Sequence, residues 1–205
     1  MVDIGFKYLS GRVNKIVFIF FILTLFYSVS IFVAPLTLEP GTVEELNGAA
    51  NQIVHESEWR DLPTYHRAIY TFSDLNCHQM HERSYSLNGN QLPVCSRDVG
   101  IFVGFTIGFM LMSFVRGARE MKDIMLDLID IDRNISEMKK TLILIIVGSI
   151  FALPLILDGS IQLVTDYESF NAFRTLTGLL FGFGFSVFVS SIILSSSPFE
   201  KYQTS

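Results

Sequence analysis

The chain has 205 residues, of which 50% are hydrophobic and 17% charged, and its formal net charge is -5 at pH 7. Its mean hydropathy is +0.43, whereas a soluble domain of this size needs charged residues along every amphipathic element. The sequence contains no basic nucleic-acid patch, P-loop or dinucleotide-binding fingerprint. Composition therefore indicates a membrane protein and argues against a nucleic-acid or nucleotide partner.

Four apolar segments are long enough to cross a bilayer, whose hydrocarbon core of about 30 Å requires roughly 20 helical residues. The predicted spans are residues 16–36, 99–115, 141–158 and 174–195. The first exceeds the roughly 7–15 apolar residues of a signal-peptide core and no small-residue cleavage site follows it, so we interpret it as a retained anchor. We expect an all-α, polytopic protein of the cell membrane in which residues 1–205 form a single membrane domain.

The distribution of Lys and Arg predicts the orientation, because cytoplasmic loops carry an excess of both residues. The N-terminal tail, residues 116–140 and the C-terminus together hold ten of them, and the other loops hold five. Both termini and residues 116–140 are therefore expected in the cytoplasm. Residues 37–98 are expected to form an extracytoplasmic cap loop, with residues 159–173 as a second loop on the same side.

Two further patterns concern helix packing. Apolar residues in the cytoplasmic segment recur at i, i+3, i+4, i+7 and i+8, which predicts an amphipathic helix. Gly100, Gly104 and Gly108 recur every four residues, as do Gly178 and Gly182, and such small-residue faces allow close helix contact. Packing within the monomer is the default explanation, and a homo-oligomer or membrane-complex contact is the alternative. The apolar residues of the predicted amphipathic helix in the cytoplasmic segment are Met121, Ile124, Met125, Leu128 and Ile129.

Both cysteines lie in the cap loop, beside two histidines and just before the second span. They could form a disulfide, whose loop of roughly 18 residues would contribute about 3 kcal/mol in the chain-entropy model. They could instead bind a metal, because zinc accepts nitrogen, sulfur and oxygen ligands in a tetrahedral set. Helical spacing would present Cys77 and His81 on one face, and a turn at 88–89 would bring the second cysteine opposite that face. The third interpretation is that both cysteines are free, buried thiols. The candidate ligands are Cys77, His78, His81, Cys95 and Asp98.

The predicted topology brings a second set of polar residues to the same membrane face. The cap loop contributes Glu82 and Arg97, and the end of the third span and the loop after it contribute Asp158, Glu168 and Arg174. Ionised groups near a helix end cost little, but several kcal/mol at the bilayer centre. A structural belt of salt bridges and a functional site explain these residues equally well.

Five separated motifs resemble a family of prokaryotic predicted membrane proteins, many of them archaeal, catalogued as a domain of unknown function. The motifs are CHQ at 77–79, ERSY at 82–85, LPVCSRDVGIFVG at 92–104, PLILDGSIQ at 154–162 and ESFNAFRTLTG at 168–178. The family typically has C-x-R-C where this chain has Cys95-Ser96-Arg97-Asp98. Three cysteines and the histidine of CHQ look like a Cys3His metal site, so the resemblance favours a metal over a disulfide. Asp98 departs from the pattern and keeps a cystine open for this chain.

These observations leave three hypotheses. The first is an integral membrane protein with an extracytoplasmic zinc site in a structural or binding role. The second is a metal-dependent hydrolase at the outer leaflet, in which the ion lowers the pKa of bound water to about 7. The general base would be Glu82, Asp158 or Glu168. An oxyanion would be stabilised by Arg97 or Arg174. A small transporter or channel is disfavoured, because the spans hold almost no interior ionisable residues. Whether the chain is an enzyme is left open.

Overall fold

The computed structural model describes residues 13–49, 51–116 and 120–196. Seven α-helices and one two-stranded antiparallel sheet lie within these ranges. A 3-10 turn at His81–Arg83 leads into the sheet. In chain order the elements are α1 (Lys15–Thr37), α2 (Glu56–Arg60), α3 (Thr64–Asn76), β1 (Ser84–Leu87), β2 (Asn90–Cys95), α4 (Ser96–Met112), α5 (Met121–Leu128), α6 (Glu137–Val164) and α7 (Asn171–Ser196).

Among the described residues, three helices are long and apolar enough to cross a membrane: α1, α6 and α7. The protein is therefore a mostly helical, multi-pass membrane protein. α4, which covers most of the predicted second span, has 17 residues. At 1.5 Å per residue its length is about 26 Å, slightly less than the hydrocarbon core of about 30 Å. A fourth span at α4 stays a prediction.

α4 and α7 form the central pair of the bundle, and glycines allow the backbones of these two helices to approach closely. A Cβ added to Gly104 would overlap the backbone of Leu179 and lie 2.7 Å from the nitrogen of Phe183, and one added to Gly182 would overlap the backbone of Ile101. The glycine faces of the two helices therefore pack against each other inside the monomer. This is the default explanation given from the sequence, and contact with a second protomer or a membrane complex stays a prediction.

α1 packs antiparallel to α4. The N-terminal end of α1 contacts the C-terminal end of α4, at the end of the bundle away from the cap. The backbone nitrogen of Asn14 donates to the carbonyl of Ser113 at 2.9 Å. α5 covers the same end, where Ile124 is 1% exposed and packs with Val17, Met112 and Leu194. The predicted amphipathic helix thus exists over Met121–Leu128 and buries Ile124 and Met125, whereas Leu128 and Ile129 are exposed.

The segment predicted as a cap loop contains α2, α3, β1 and β2 and shares an apolar core with α1. Trp59 and Tyr70 are among its fully buried side chains, and they pack with Ile31 of α1. The hairpin turns at Asn88 and Gly89, whose φ angles of 55° and 71° are both left-handed, as a two-residue type I′ turn requires. We call residues 38–95 the cap; it is a folded unit seated on the Thr37 end of α1.

α6 lies at the periphery of the bundle. Lys140 and Asp158 are its only buried residues, and the ring of Phe151 contacts that of Phe183 on α7 at 5.7 Å. Nearly all of its apolar surface therefore faces outward, as expected for a helix surrounded by lipid. The two buried polar residues are consequently among the points at which α6 is held to the rest of the chain.

Candidate functional site

The cap and the α6–α7 connection meet at one end of the bundle. Ser96 at the start of α4 donates to the side-chain oxygen of Asn171 at 3.0 Å, and the Asn171 amide donates to the carbonyl of Ser84 at 3.2 Å. Tyr85 of β1 also contacts the hydroxyl of Thr175 at 3.0 Å. Polar residues distant in sequence thus form one contact region, which we call the polar belt. Its charged members are Arg83, Arg97, Asp158, Glu168 and Arg174.

The most buried ion pair of the polar belt joins α4 to α6. The guanidinium of Arg97 donates to Oδ2 of Asp158, whose side chain is 1% exposed. The second carboxylate oxygen, Oδ1, is buried and has no hydrogen-bond partner among the described residues. Removing one partner of such a pair leaves an uncompensated charge in an apolar surrounding. This pair is therefore a main attachment of α6 at the cap end.

Arg174 is 2% exposed, and a belt of salt bridges would pair it with a carboxylate. Its Nε instead donates to the hydroxyl of Ser169 at 3.1 Å and its Nη2 to the amide oxygen of Gln162 at 3.0 Å. Gln162 also donates to Ser169 at 2.9 Å, which closes a small network. Arg174 thus bonds to neutral acceptors from α6 and the loop, whereas the Arg97–Asp158 pair is one of the salt bridges that the sequence suggested.

The remaining candidate acids lie at the surface. Arg83 donates to Glu168 at 2.8 Å, and the Glu168 side chain is 59% exposed. The hydrogen bond from Arg83 holds the pKa of Glu168 below its ordinary value. Glu82 is exposed on the 3-10 turn before β1. Of the three proposed bases, Asp158 alone is buried.

A second group lies beside the polar belt, where α3, β2 and α4 come together. One donor atom from each of Cys77, Cys95 and Asp98 lies within 4.8 Å of the others. Both cysteines are free and are only 2% and 5% exposed, and the thiol of Cys95 donates to Oδ2 of Asp98 at 3.3 Å. We call these three residues the thiol site.

Backbone amides surround one sulfur of the thiol site. The nitrogens of Gln79 and Cys95 both donate to Sγ of Cys77, at 3.4 and 3.2 Å. N–H donors directed at sulfur stabilise negative charge on it, whereas the side-chain bond with Cys95 and burial raise the pKa of the Cys77 thiol. A cation is the partner that would permit a thiolate in this buried position. The donor set thus fits a metal that accepts sulfur and oxygen.

Neither histidine contributes a donor atom to the thiol site. α3 ends at Asn76, so the helical spacing assumed for Cys77 and His81 does not occur. Nδ1 of His81 lies 3.2 Å from the side-chain oxygen of Gln91, beside a cavity of about 250 Å³. His78 is half-buried and accepts a hydrogen bond from the nitrogen of Met80 at 3.4 Å. Burial lowers the pKa of His78, and neither ring belongs to the group of three.

Two buried polar residues that support the site were missed from the sequence. Gln79 is completely buried and donates to the carbonyl of Pro93 at 2.6 Å, while Gln91 donates to the carbonyl of Gln79 at 2.7 Å. These bonds tie the segment after Cys77 to β2. The stretch CHQMHER is polar enough to suggest an exposed loop, so composition alone gave no signal that its glutamine is internal.

Comparison with known proteins agrees with a membrane protein. The chain is 30% identical over 115 residues to an uncharacterised protein of Methanocaldococcus jannaschii, an alignment that covers 56% of this chain and 62% of that relative. It is 31% identical over 111 residues to an uncharacterised protein of Methanothermobacter thermautotrophicus, which covers 54% of this chain and 81% of the relative. No solved structure gives a significant match.

One family matches the chain over residues 77–188, and it is described as a predicted membrane protein family, DUF2085. This match begins at the first cysteine of the thiol site and includes the whole polar belt. It covers more than half of the 205 residues. The chain therefore belongs to this family of predicted membrane proteins, DUF2085.

Proposed function

We propose that this integral membrane protein binds one zinc ion at the thiol site, through Cys77, Cys95 and Asp98, in a structural or binding role. The observation that carries the proposal is the convergence of two sulfurs and one carboxylate within 4.8 Å. Zinc accepts thiolate and carboxylate ligands, and its structural sites are almost always tetrahedral with four ligands. The burial of both cysteines favours a permanent ion over an exchanging one.

A structural role follows from which elements the ligands belong to. Cys77 is the residue directly after α3, Cys95 is the last residue of β2, and Asp98 lies in the first turn of α4. An ion held by all three would join the cap to the central α4–α7 pair. Binding free energy of such an ion acts as folding free energy, so the cap and the polar belt would keep their positions only in the metal-bound protein.

The cap is proposed to lie outside the cytoplasm. Lys15, Lys122 and Lys140 all belong to elements at the opposite end of the bundle, near the start of α1, α5 and the start of α6. An excess of positive residues marks the cytoplasmic side. The thiol site and the polar belt would then face the extracytoplasmic half of the membrane.

Metal analysis of the full chain, purified without chelator, tests the zinc site. We expect about one zinc per chain, lost in Cys77→Ser and Cys95→Ser and reduced in Asp98→Asn. His81→Ala is the matched control, because its ring lies outside the thiol site, and it should retain zinc. A metal-free protein whose cysteines resist maleimide after denaturation, unless a reductant is added, would instead establish a disulfide.

A metal-dependent hydrolase is the second candidate, and one observation favours it. Three protein donors leave the fourth tetrahedral position for water, as catalytic zinc requires. The unpartnered Oδ1 of Asp158 and the guanidinium of Arg97 would then supply a base and an anion-stabilising group. Release of p-nitrophenol from p-nitrophenyl phosphate by vesicle-reconstituted protein, lost in Asp158→Asn at unchanged zinc content, would support it. Equal release from both proteins would contradict it.

A further inference from the structure

The position of α3 differs from that of an ordinary extramembrane helix. It runs beside the half of α1 that is nearer the cap. The hydroxyl of Thr37 lies 2.8 Å from Nε2 of His66, and the hydroxyl of Tyr27 lies 2.7 Å from that of Ser73. The ring of Tyr27 also meets that of Phe72 edge-on, with centroids 4.9 Å apart. These three contacts fix both the direction and the height of α3.

The height can be expressed as a distance along α1. Thr37 is the last residue of α1, and Tyr27 precedes it by ten residues, or about 15 Å of helix. His66 and Ser73 are seven residues apart, so α3 descends about 10 Å beside this half of α1. α1 has 23 residues and a length of about 35 Å, close to the thickness of a bilayer. The C-terminal half of α3 thus lies below the level at which α1 ends.

An apolar strip of α3 stays exposed beside α1. Tyr65, Phe72 and Leu75 are 37%, 49% and 45% exposed, and their spacing of seven and three residues puts them on one face. The opposite face carries the buried residues, among them His66 and Ser73 with their bonds to α1. Arg67, the one charged residue among the exposed positions of α3, lies on the flank of this face.

Exposed apolar side chains also lie on α1. Phe26, Val29 and Leu36, in the half of α1 that α3 accompanies, are 61%, 51% and 50% exposed. α1 is long and apolar enough to cross the membrane, so these side chains contact acyl chains. An extramembrane helix would leave these large aromatic and aliphatic side chains in water next to that lipid-facing surface, whereas transfer of apolar surface from water to lipid is favourable.

We propose that α3 is embedded in the leaflet on the cap side, and that Tyr65, Phe72 and Leu75 bind the acyl chains of its lipids. α3 is then a half-inserted helix, whose His66 and Ser73 bond to α1 and whose exposed apolar strip contacts lipid. This is compatible with the requirement that lipid-exposed backbone be hydrogen-bonded internally, since α3 is helical throughout. The proposal rests on the contacts of α3 alone and holds with or without a metal at the thiol site.

Photo-crosslinking of the full chain in phosphatidylcholine–phosphatidylglycerol vesicles tests the proposal. p-Benzoylphenylalanine is introduced in place of Phe72, Leu75, Arg67 or, as the reference for lipid contact, Leu36. After irradiation, mass spectrometry measures the fraction of chain carrying a phospholipid adduct. We expect adducts at 72 and 75 at a level within about twofold of that at 36, and at least fivefold fewer at 67.

Size-exclusion chromatography first verifies that each variant is folded, and the two positions on α3 provide independent readings. Adducts at 36 but not at 72 or 75 would overturn the proposal, because α3 would then lie in water. Crosslinks from 72 and 75 to another protein chain would also overturn it, since a protein and not lipid would cover the face. Equal adduct yields at 67 and 72 would show that the helix has no lipid-facing side.

Discussion

Asp74 shows how a single residue can hold the cap together. It is completely buried in the last turn of α3, and its Oδ2 accepts from the nitrogens of Val54 and His55 and from Nε1 of Trp59, at 2.9–3.0 Å. We expect Asp74→Ala to destabilise the protein by about 3 kcal/mol or more, because three donors lose one acceptor. Thermal unfolding in detergent, followed by circular dichroism, measures the effect.

Asp74→Asn distinguishes loss of the hydrogen-bond acceptor from loss of the negative charge. In Asp74→Asn the amide oxygen can still accept all three bonds, so the thermal midpoint should fall much less than in Asp74→Ala. Asp61→Ala, at an exposed carboxylate in the same cap, is the control and should change stability by no more than about 0.5 kcal/mol. Equal losses in the alanine and asparagine variants would mean that the charge matters and the acceptor geometry does not.

The Arg97–Asp158 pair makes a second prediction at the level of residues. A fully buried pair costs roughly 3–5 kcal/mol to break from one side. Because 23% of the Arg97 side chain is exposed, we expect Asp158→Asn to cost less, about 2 kcal/mol. The matched change in an exposed pair, Glu56→Gln opposite Arg60, should be close to neutral. A cycle with Arg97→Gln that shows no coupling between the two positions would contradict an interaction of this size.

Some of these residues could be predicted from the sequence and others could not. Cys77, Cys95 and Asp98 were expected as ligands, and the structure brings their donor atoms together. His81 was expected with them because helical spacing was assumed across a segment where α3 has already ended. The acceptor role of Asp74 depends on where the chain at 54–59 passes, and no local pattern records that.

At the level of elements, the α4–α7 pair depends on the absence of side chains at its contact. A Cβ at Gly104 would overlap the backbone of Leu179, and backbone cannot rotate away as a side chain can. We expect Gly104→Ala to separate the helices and cost about 1–3 kcal/mol, despite the better helix propensity of Ala. Unfolding in a graded detergent series measures the loss.

A second helical glycine, Gly148, provides the control for Gly104→Ala. A Cβ added to Gly148 on α6 would have no described atom within 4 Å, so Gly148→Ala should be neutral or stabilise by up to about 1 kcal/mol through propensity alone. If both alanine variants are equally stable, α4 and α7 are not held by close backbone contact. The opposite signs expected for the two changes separate packing from propensity.

Elements with a strong local signal were predicted correctly from the sequence. The Asn88-Gly89 turn was expected between the two cysteines and is the tip of the hairpin, because only left-handed backbone closes a two-residue loop easily. α3 gave no comparable signal as a membrane element. Its polar residues on the α1 side lower its mean hydropathy, and their bonds to Thr37 and Tyr27 become visible only in three dimensions.

At the scale of the whole molecule, the two ends of the helical bundle differ in the elements and charged residues that they carry. One end carries α5 with the ion pair between Lys140 and Asp123 at 3.1 Å, and the other carries the cap, the polar belt and the thiol site. Hydropathy predicted the long apolar helices well, since α1, α6 and α7 each extend past the predicted span limits at one or both ends. The direction in which they cross the bilayer follows from charge counting alone and requires its own test.

The two ends of α6 provide that test. Met138 and Leu163 are 80% and 86% exposed and lie 25 residues apart on one helix, or about 38 Å, so they should reach opposite faces of the bilayer. In intact cells a membrane-impermeant maleimide should label Leu163→Cys, together with Glu58→Cys in the cap. Met138→Cys should react only after permeabilisation, and the parent chain should stay unlabelled because Cys77 and Cys95 are buried. Labelling of Met138→Cys alone from outside would reverse the orientation and place the thiol site in the cytoplasm, where a reducing environment disfavours a disulfide and leaves metal binding as the role for its cysteines.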